Sequence, residues 1–291
     1  ETTVGSYDVN ATLNGVTSNS TAVTVESGGE DTVTTVKIEP DSDKTITAGE
    51  TVGFNATAKD QFGNVVEDTD SAFAWSASGG DISNSGLFDE TIVGSYNVTA
   101  ELGGVTSDAT TVTVEAGDIE TVTEVNIDPE TDQTITAGET VGFNATAKDQ
   151  FGNVVENDDS QFSWDAEEGS IGSAGLFDET TVGSYDVTAE LGGVTSDATT
   201  VTVETGGTDT ITEVNIDPAT DQTITAGDDV EFSAEALDQF GNVVEDTDSA
   251  FTWNGDAGSI SGSGLFDETT VGSYDVNATL NGVTSNSTAV T

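Results

Sequence analysis

Two-layered, all-β domains strung in tandem are what this sequence predicts, and three observations predict them. The first is a fixed interval. Trp75, Trp164 and Trp253 stand 89 residues apart, as do Asp60, Asp149 and Asp238, and again Gly86, Gly175 and Gly264. An interval this long, with one Trp per copy, marks whole domains rather than solenoid turns. The second is period-two alternation of apolar and polar residues, with no helical periodicity. The third is a set of turn segments rich in Gly and Asn that recur between the alternating stretches.

In the first complete copy the elements follow in order. Val36–Ile38 forms a short strand that ends at Pro40, and all three prolines (Pro40, Pro129, Pro218) share this repeat position. Proline there fits an edge strand leaving one sheet for the other. A short strand around Ile46 precedes the turn at residues 47–50. Val52, Phe54, Ala56 and Ala58 then alternate with Thr51, Gly53, Asn55, Thr57 and Lys59, giving one apolar and one polar face. The pentapeptide Asp60-Gln61-Phe62-Gly63-Asn64 is a turn: its Gly and Asn suit positive φ and local side-chain capping. Val65–Val66 follows, and Phe73 and Trp75 share one parity. Ile82 and Leu87–Phe88 are short strands on either side of Gly86. Tyr96, Val98, Ala100 and Leu102 alternate with Asn97, Thr99 and Glu101, and Val112 and Val114 alternate with Thr111, Thr113 and Glu115.

About seven or eight short strands with turn signals at this spacing indicate a sandwich, and 89 residues match one immunoglobulin-like domain. The predicted class is therefore all-β: tandem immunoglobulin-like Greek-key β-sandwich domains arranged as an extended rod. Expected domains span residues 33–115, 122–204 and 211–291, with 1–26 forming the C-terminal strands of a preceding repeat. The linkers Ser27–Thr32, Ala116–Thr121 and Thr205–Thr210 are short and equal in length, which favours a regular rod over a floppy tether. Strands of roughly nine residues imply roughly 100 Å for the three domains. Glu1–Thr24 is identical to Glu268–Thr291, three intervals later. That identity suggests a three-domain super-repeat within a longer chain. The alternative is a pair of strands donated to a neighbouring subunit.

Residues Ala48-Gly49, the turn at Asp60–Asn64, Trp75, Gly86-Leu87-Phe88, Gly94-Ser95-Tyr96 and the closing Val112-Thr113-Val114 resemble a bacterial immunoglobulin-like repeat of the invasin and intimin type. The resemblance covers all three copies and the first 24 residues. It implies a prokaryotic surface protein, extracellular in location. It leaves function open, because such modules serve as stalks, spacers, adhesin shafts and filament subunits alike.

Charge narrows the partners. Acidic residues number 55 against 4 basic ones, for a formal net charge of −51. Nucleic acid is excluded, since binding it needs Lys and Arg to displace counterions, and anionic membrane surfaces are disfavoured. The chain is 34% hydrophobic with clean alternation, which argues against disorder. Self-repulsion at this charge density destabilises a compact state in dilute buffer, whereas near 1 M salt the Debye length is about 3 Å. The composition resembles that of haloarchaeal proteins, so a halophilic source is expected. With no Cys and no His, disulfides, thiolate metal sites and imidazole chemistry are unavailable. No stretch is long and apolar enough to span a membrane in this window.

Catalysis is not expected. No His activates the serines, and any carboxylate pair recurs in every copy, which is unlike an active site. No cofactor is required, but calcium is a candidate ion, since it takes six to eight oxygen ligands. In an immunoglobulin-like sandwich the Asp-Gln-Phe-Gly-Asn turn returns to the pole where the chain enters. Asp149 and Asn153 should then lie beside Glu115, Asp118 and Glu120, and Asp238 and Asn242 beside Glu204 and Asp209. The plain alternative is an acidic linker next to a metal-free turn. N-glycosylation sequons occur at Asn10, Asn55, Asn97, Asn144 and Asn277, all on outward parity, and also at Asn19 and Asn286. The functional expectation is a structural, non-catalytic segment of an extracellular filament or fibre, partnered by copies of itself along or beside the filament. The alternative is the stalk of a cell-surface adhesin whose binding domain lies elsewhere.

Overall fold

The computed structural model describes all 291 residues. It contains β-strands joined by turns and six three-residue 3-10 helices, and no helix is long and apolar enough to cross a membrane. The chain divides into two compact units, Glu1–Glu124 with Ala147–Glu156, and Val125–Thr146 with Asn157–Thr291.

In the first unit, one complete repeat forms a sandwich. One sheet pairs Val33–Glu39 with Asn55–Asp60 and then Val65–Glu67. The facing sheet runs Ala74–Ala77, Gly94–Leu102, Thr110–Glu115, Lys44–Thr47, with Val105–Thr106 on Gly94–Leu102. Lys44–Thr47 lies parallel to Thr110–Glu115. The chain therefore changes sheets across Pro40, as the proline's position predicts. Trp75 on the edge strand packs at 6.4 Å from Phe54 across the sandwich, and its Nε1 donates to Asp70 O at 2.9 Å. Tyr96, near the start of the long strand, donates its hydroxyl to Ile92 O at 2.8 Å. The Tyr96 bond to upstream main chain is the tyrosine corner of an immunoglobulin-like sandwich.

The parity holds. Phe54, Ala56, Ala58, Val98, Ala100, Leu102, Val112 and Val114 are buried, while Asn55, Lys59, Asn97 and Glu101 face solvent. One expectation differs in detail. The stretch from Val52 to Ala58 is not one strand: Thr51–Gly53 pairs with Leu87–Asp89, and Asn55–Asp60 pairs with Val33–Glu39. The break falls at Phe54, whose N–H donates to Gly86 O at 2.8 Å. Gly86 has φ +72, and a Cβ there would stand 2.2 Å from Phe54 O. Only glycine fits this close approach.

The first unit also holds Gly5–Val9 paired with Thr21–Val25, and Thr12–Leu13 paired with Val16–Thr17. These strands are equivalent, 89 residues on, to the buried pair in the complete repeat. Here Val9, Leu13, Val16 and Val23 are exposed. The remaining segment of this unit is the hairpin of Ala147–Glu156.

The second unit repeats the pattern. Phe143 and Phe232 pack on Trp164 and Trp253 at 6.4 Å, and Tyr185 and Tyr274 donate to Thr181 O and Thr270 O. Ile211, Val214, Ile216, Phe232, Phe251, Phe266 and Val276 centre the core of its last repeat.

Candidate functional site: the joint between repeats

The side chains that recur and are tied across sequence boundaries gather where one repeat meets the next. Each joint is a loop and a turn from one repeat that receive a turn from the next. In the first unit, Glu90 shapes the receiving loop: its Oε1 accepts the N–H groups of Thr91 at 2.7 Å and Ile92 at 3.0 Å. Gly49 N–H donates to Glu90 O at 2.9 Å and Tyr96 Oη donates to Ile92 O, so the loop is fastened at three points.

The inserted turn is Asp149–Asn153. Asp149 is buried at 5% exposure and organises it. Its Oδ1 accepts Phe151 N and Asn153 N, each at 2.9 Å, and its Oδ2 accepts Asn153 Nδ2 at 2.9 Å. Burial pushes the Asp149 pKa up. The bonds from Asn153 and the backbone N–H groups of Phe151 and Gly117 outweigh this, so it lies below the usual aspartate value. Asn153, held from below, reaches across with both ends of its amide. Nδ2 donates to Thr91 O at 2.8 Å, and Val93 N–H donates to Oδ1 at 3.1 Å. Phe151 lies against Gly49, where a Cβ would meet its ring at 2.7 Å.

The second unit contains the same joint. Glu179 Oε1 accepts Thr180 N and Thr181 N, and Asp238 takes Phe240 N, Asn242 N and Asn242 Nδ2 at 2.8–2.9 Å. Asn242 Nδ2 donates to Thr180 O at 2.7 Å, Val182 N–H donates to Asn242 Oδ1 at 3.1 Å, and Phe240 covers Gly138. For Asp238, as for Asp149, burial raises the pKa and the Asn242 bonds reverse the shift. Asn64 makes the corresponding pair of bonds with Thr2 O and Val4 N.

The structure thus brings Asp149 with Asn153, and Asp238 with Asn242, to the joints, as the topology argument expects. The Asn amides meet the main chain of the receiving loop, while the Asp carboxylates hold their own turn and Asp149 also takes the linker N–H of Gly117. Glu115 is exposed and contributes its carbonyl, which accepts Ala48 N at 2.8 Å. Asp118 accepts Glu120 N at 3.1 Å and so caps a short 3-10 helix, with Glu120 exposed. Glu204 mirrors Glu115 by accepting Ala137 N, and Asp209 is exposed. No group of three or more acidic side chains is arranged to hold a metal. The sequon residues Asn10, Asn55, Asn97 and Asn144 are exposed, as are Asn19 and Asn286; Asn277 is half-buried.

Sequence reasoning missed the receiving loop, the seats at Gly49 and Gly138, and the roles of Phe151 and Phe240. A signal was present. The segment Glu-Thr-(Thr/Ile)-Val precedes each Asp-Gln-Phe-Gly-Asn turn at one spacing, including at Glu1–Val4.

No family model matches the chain, and no curated protein matches it. Solved structures similar to it include the surface layer protein SbsC, domains 1–6, at 18% identity, covering 94% of this chain and 41% of that one with a TM-score of 0.33. The chain thus spans about two-fifths of that structure. Another is the Escherichia coli adhesin FdeC, at 19% identity, covering 92% of this chain and 100% of that one with a TM-score of 0.42. A third contains extracellular cadherin domains 3–6 of protocadherin gamma B2, at 13% identity, covering 98% and 82% with a TM-score of 0.41.

Proposed function

We propose that this chain is a non-catalytic spacer, a structural segment of an extracellular fibre on the surface of a halophilic prokaryote. The observation that carries this reading is the joint itself. The same amide, aromatic ring and buried Asp recur at Asn153, Phe151 and Asp149 and at Asn242, Phe240 and Asp238. A bidentate amide and a seated ring restrict rotation between repeats far more than a bare linker does. Repeated joints of one geometry convert a number of repeats into a defined length, which is what a spacer supplies. The net charge of −51 supports a high-salt setting, where screening removes the repulsion between acid-covered repeats.

Small-angle scattering of the chain with and without Asn153→Ala and Asn242→Ala in about 3 M salt tests the spacer reading. The expected result is a single narrow distribution of dimensions for the native chain and a broader one for the double variant. Identical, broad distributions for both would refute it. The salt component is read separately by near-UV circular dichroism, which should strengthen from dilute buffer to multimolar salt.

A further inference from the structure

We propose that each repeat bears tension along the fibre, through a latch between its first and last strands that is loaded in shear when the chain is pulled from both sides. This rests on the spacer reading, because tension reaches a repeat through its neighbours.

The chain enters and leaves the first complete repeat at opposite ends of its long strand, Gly94–Leu102. Gly103 lies against Glu30 O, and Val33 pairs with Asp60, so the entry is at the Leu102 end. Gly94 pairs with Val114, so Glu115 leaves at the other end. The nine residues of the long strand put roughly 30 Å between the two points.

Between those points Lys44–Thr47 and Thr110–Glu115 lie side by side and run in the same direction. Lys44 is joined to the entry through Val33–Glu39 and the crossover at Pro40, whereas Glu115 is joined to the exit. Pulling entry from exit therefore draws the two strands past each other along their length. Four residue pairs, from Val112 with Lys44 to Glu115 with Thr47, resist together, and Ala48 N–H adds a bond to Glu115 O at 2.8 Å. Strands pulled apart sideways from one end would instead lose their bonds one at a time. Val33–Glu39 is drawn along its own axis against Asn55–Asp60 in the same way. Two further bonds tie the crossover to the last strand. Thr110, 1% exposed, donates its hydroxyl to Pro40 O at 3.1 Å, and Thr111 N–H donates to Asp43 Oδ1 at 3.1 Å. Load entering the crossover thus passes to the last strand without first unravelling the loop.

The second unit has the same latch. Gln133–Thr136 runs parallel to Thr199–Glu204, Thr199 donates its hydroxyl to Pro129 O at 3.0 Å, and Thr200 N–H donates to Asp132 Oδ1 at 3.3 Å. Thr288 and Asp221 make the equivalent bonds to Pro218 O and from Ala289 N–H, each at 3.1 Å. The Asp three residues after each proline takes no part in the hydrophobic core or the joint, and the latch gives it a use.

The test is single-molecule force spectroscopy of the full chain, pulled through pairs of introduced cysteines. The chain has none of its own, so each pair defines one direction. Asp31→Cys with Glu120→Cys pulls the first complete repeat from entry to exit. Asp41→Cys with Asp108→Cys pulls it from the starts of the two parallel strands and so peels them apart. All four positions are exposed. Entry-to-exit pulling should need the higher force at a matched loading rate. In that direction Thr110→Val and Asp43→Ala should each speed rupture about fivefold at a given force, the equivalent of one net hydrogen bond. Tyr96→Phe loses a bond outside the latch and should lower Tm without that change in rupture. Equal force in the two directions overturns the proposal. So does a Thr110→Val effect on rupture no larger than that of Tyr96→Phe, which would make the buried hydroxyl a matter of fold stability alone. Scattering of the Asn153 and Asn242 variants reads the joints and force on one repeat reads the latch, so the spacer reading and this one fail separately.

Discussion

Replacing Asn153 by Ala removes both cross-joint hydrogen bonds, at 2.8 and 3.1 Å. Each such bond contributes a net ~0.5–1.5 kcal/mol, so the joint should lose ~1–3 kcal/mol, a factor of ~5–150 in its opening equilibrium. Buried Asp149 also loses its side-chain donor, which adds to the loss. Amide hydrogen exchange reads the result locally. Val93 N–H, whose acceptor is Asn153 Oδ1, should exchange faster by about one to two decades. Val182 N–H is the internal control, because its acceptor on Asn242 is unchanged. Unchanged exchange at Val93, or an equal rise at Val182, would refute the claim that these amides couple neighbouring repeats.

Gly86→Ala should cost at least ~2–3 kcal/mol, since the new Cβ meets Phe54 O and φ is +72; differential scanning calorimetry in high salt should show a matching fall in Tm, and Gly175→Ala should behave alike. Tyr185→Phe should cost ~1 kcal/mol by freeing Thr181 O in the receiving loop, and should raise exchange at Val182 more than at Val93. Asp149 and Asp238 have folded pKa values below their unfolded ones, so their contribution is complete above about pH 4 and is lost as pH falls through the folded values. Acidification should therefore release the Asn153 and Asn242 side-chain amide signals in NMR, while a joint still closed well below that range would contradict the assignment. Glu168→Gly should stabilise by ~0.5–1 kcal/mol, because Glu168 sits at φ +66, a left-handed conformation that favours glycine; chemical denaturation measures it.

The strands were legible because alternation records burial directly. Phe54, Ala56, Ala58, Val98, Ala100 and Leu102 face the core where their parity puts them. The sheet change at Pro40 was legible because proline constrains an edge. The break at Phe54 was not, because it comes from one main-chain bond to Gly86 that no side-chain pattern records. The joint was half legible. Topology brings Asp149 and Asn153 to the joint, but it does not say which atoms they meet there. In the structure the Asp oxygens are engaged by the turn's own N–H groups, and the Asn amide reads peptide groups. Recognition of main chain leaves almost no signature in residue identity, so only the recurring spacing could have revealed it.

That Asn153, Asn242 and Asn64 grip peptide atoms has an evolutionary consequence. The gripped loops differ at one position, Ile92 against Thr181 and Thr3, without altering the bonds made to them. A joint blind to those side chains fits any neighbour of its kind. Unequal recombination can then insert, delete or reorder 89-residue units in the gene, and each new seam is compatible at once, with no second mutation needed to repair it.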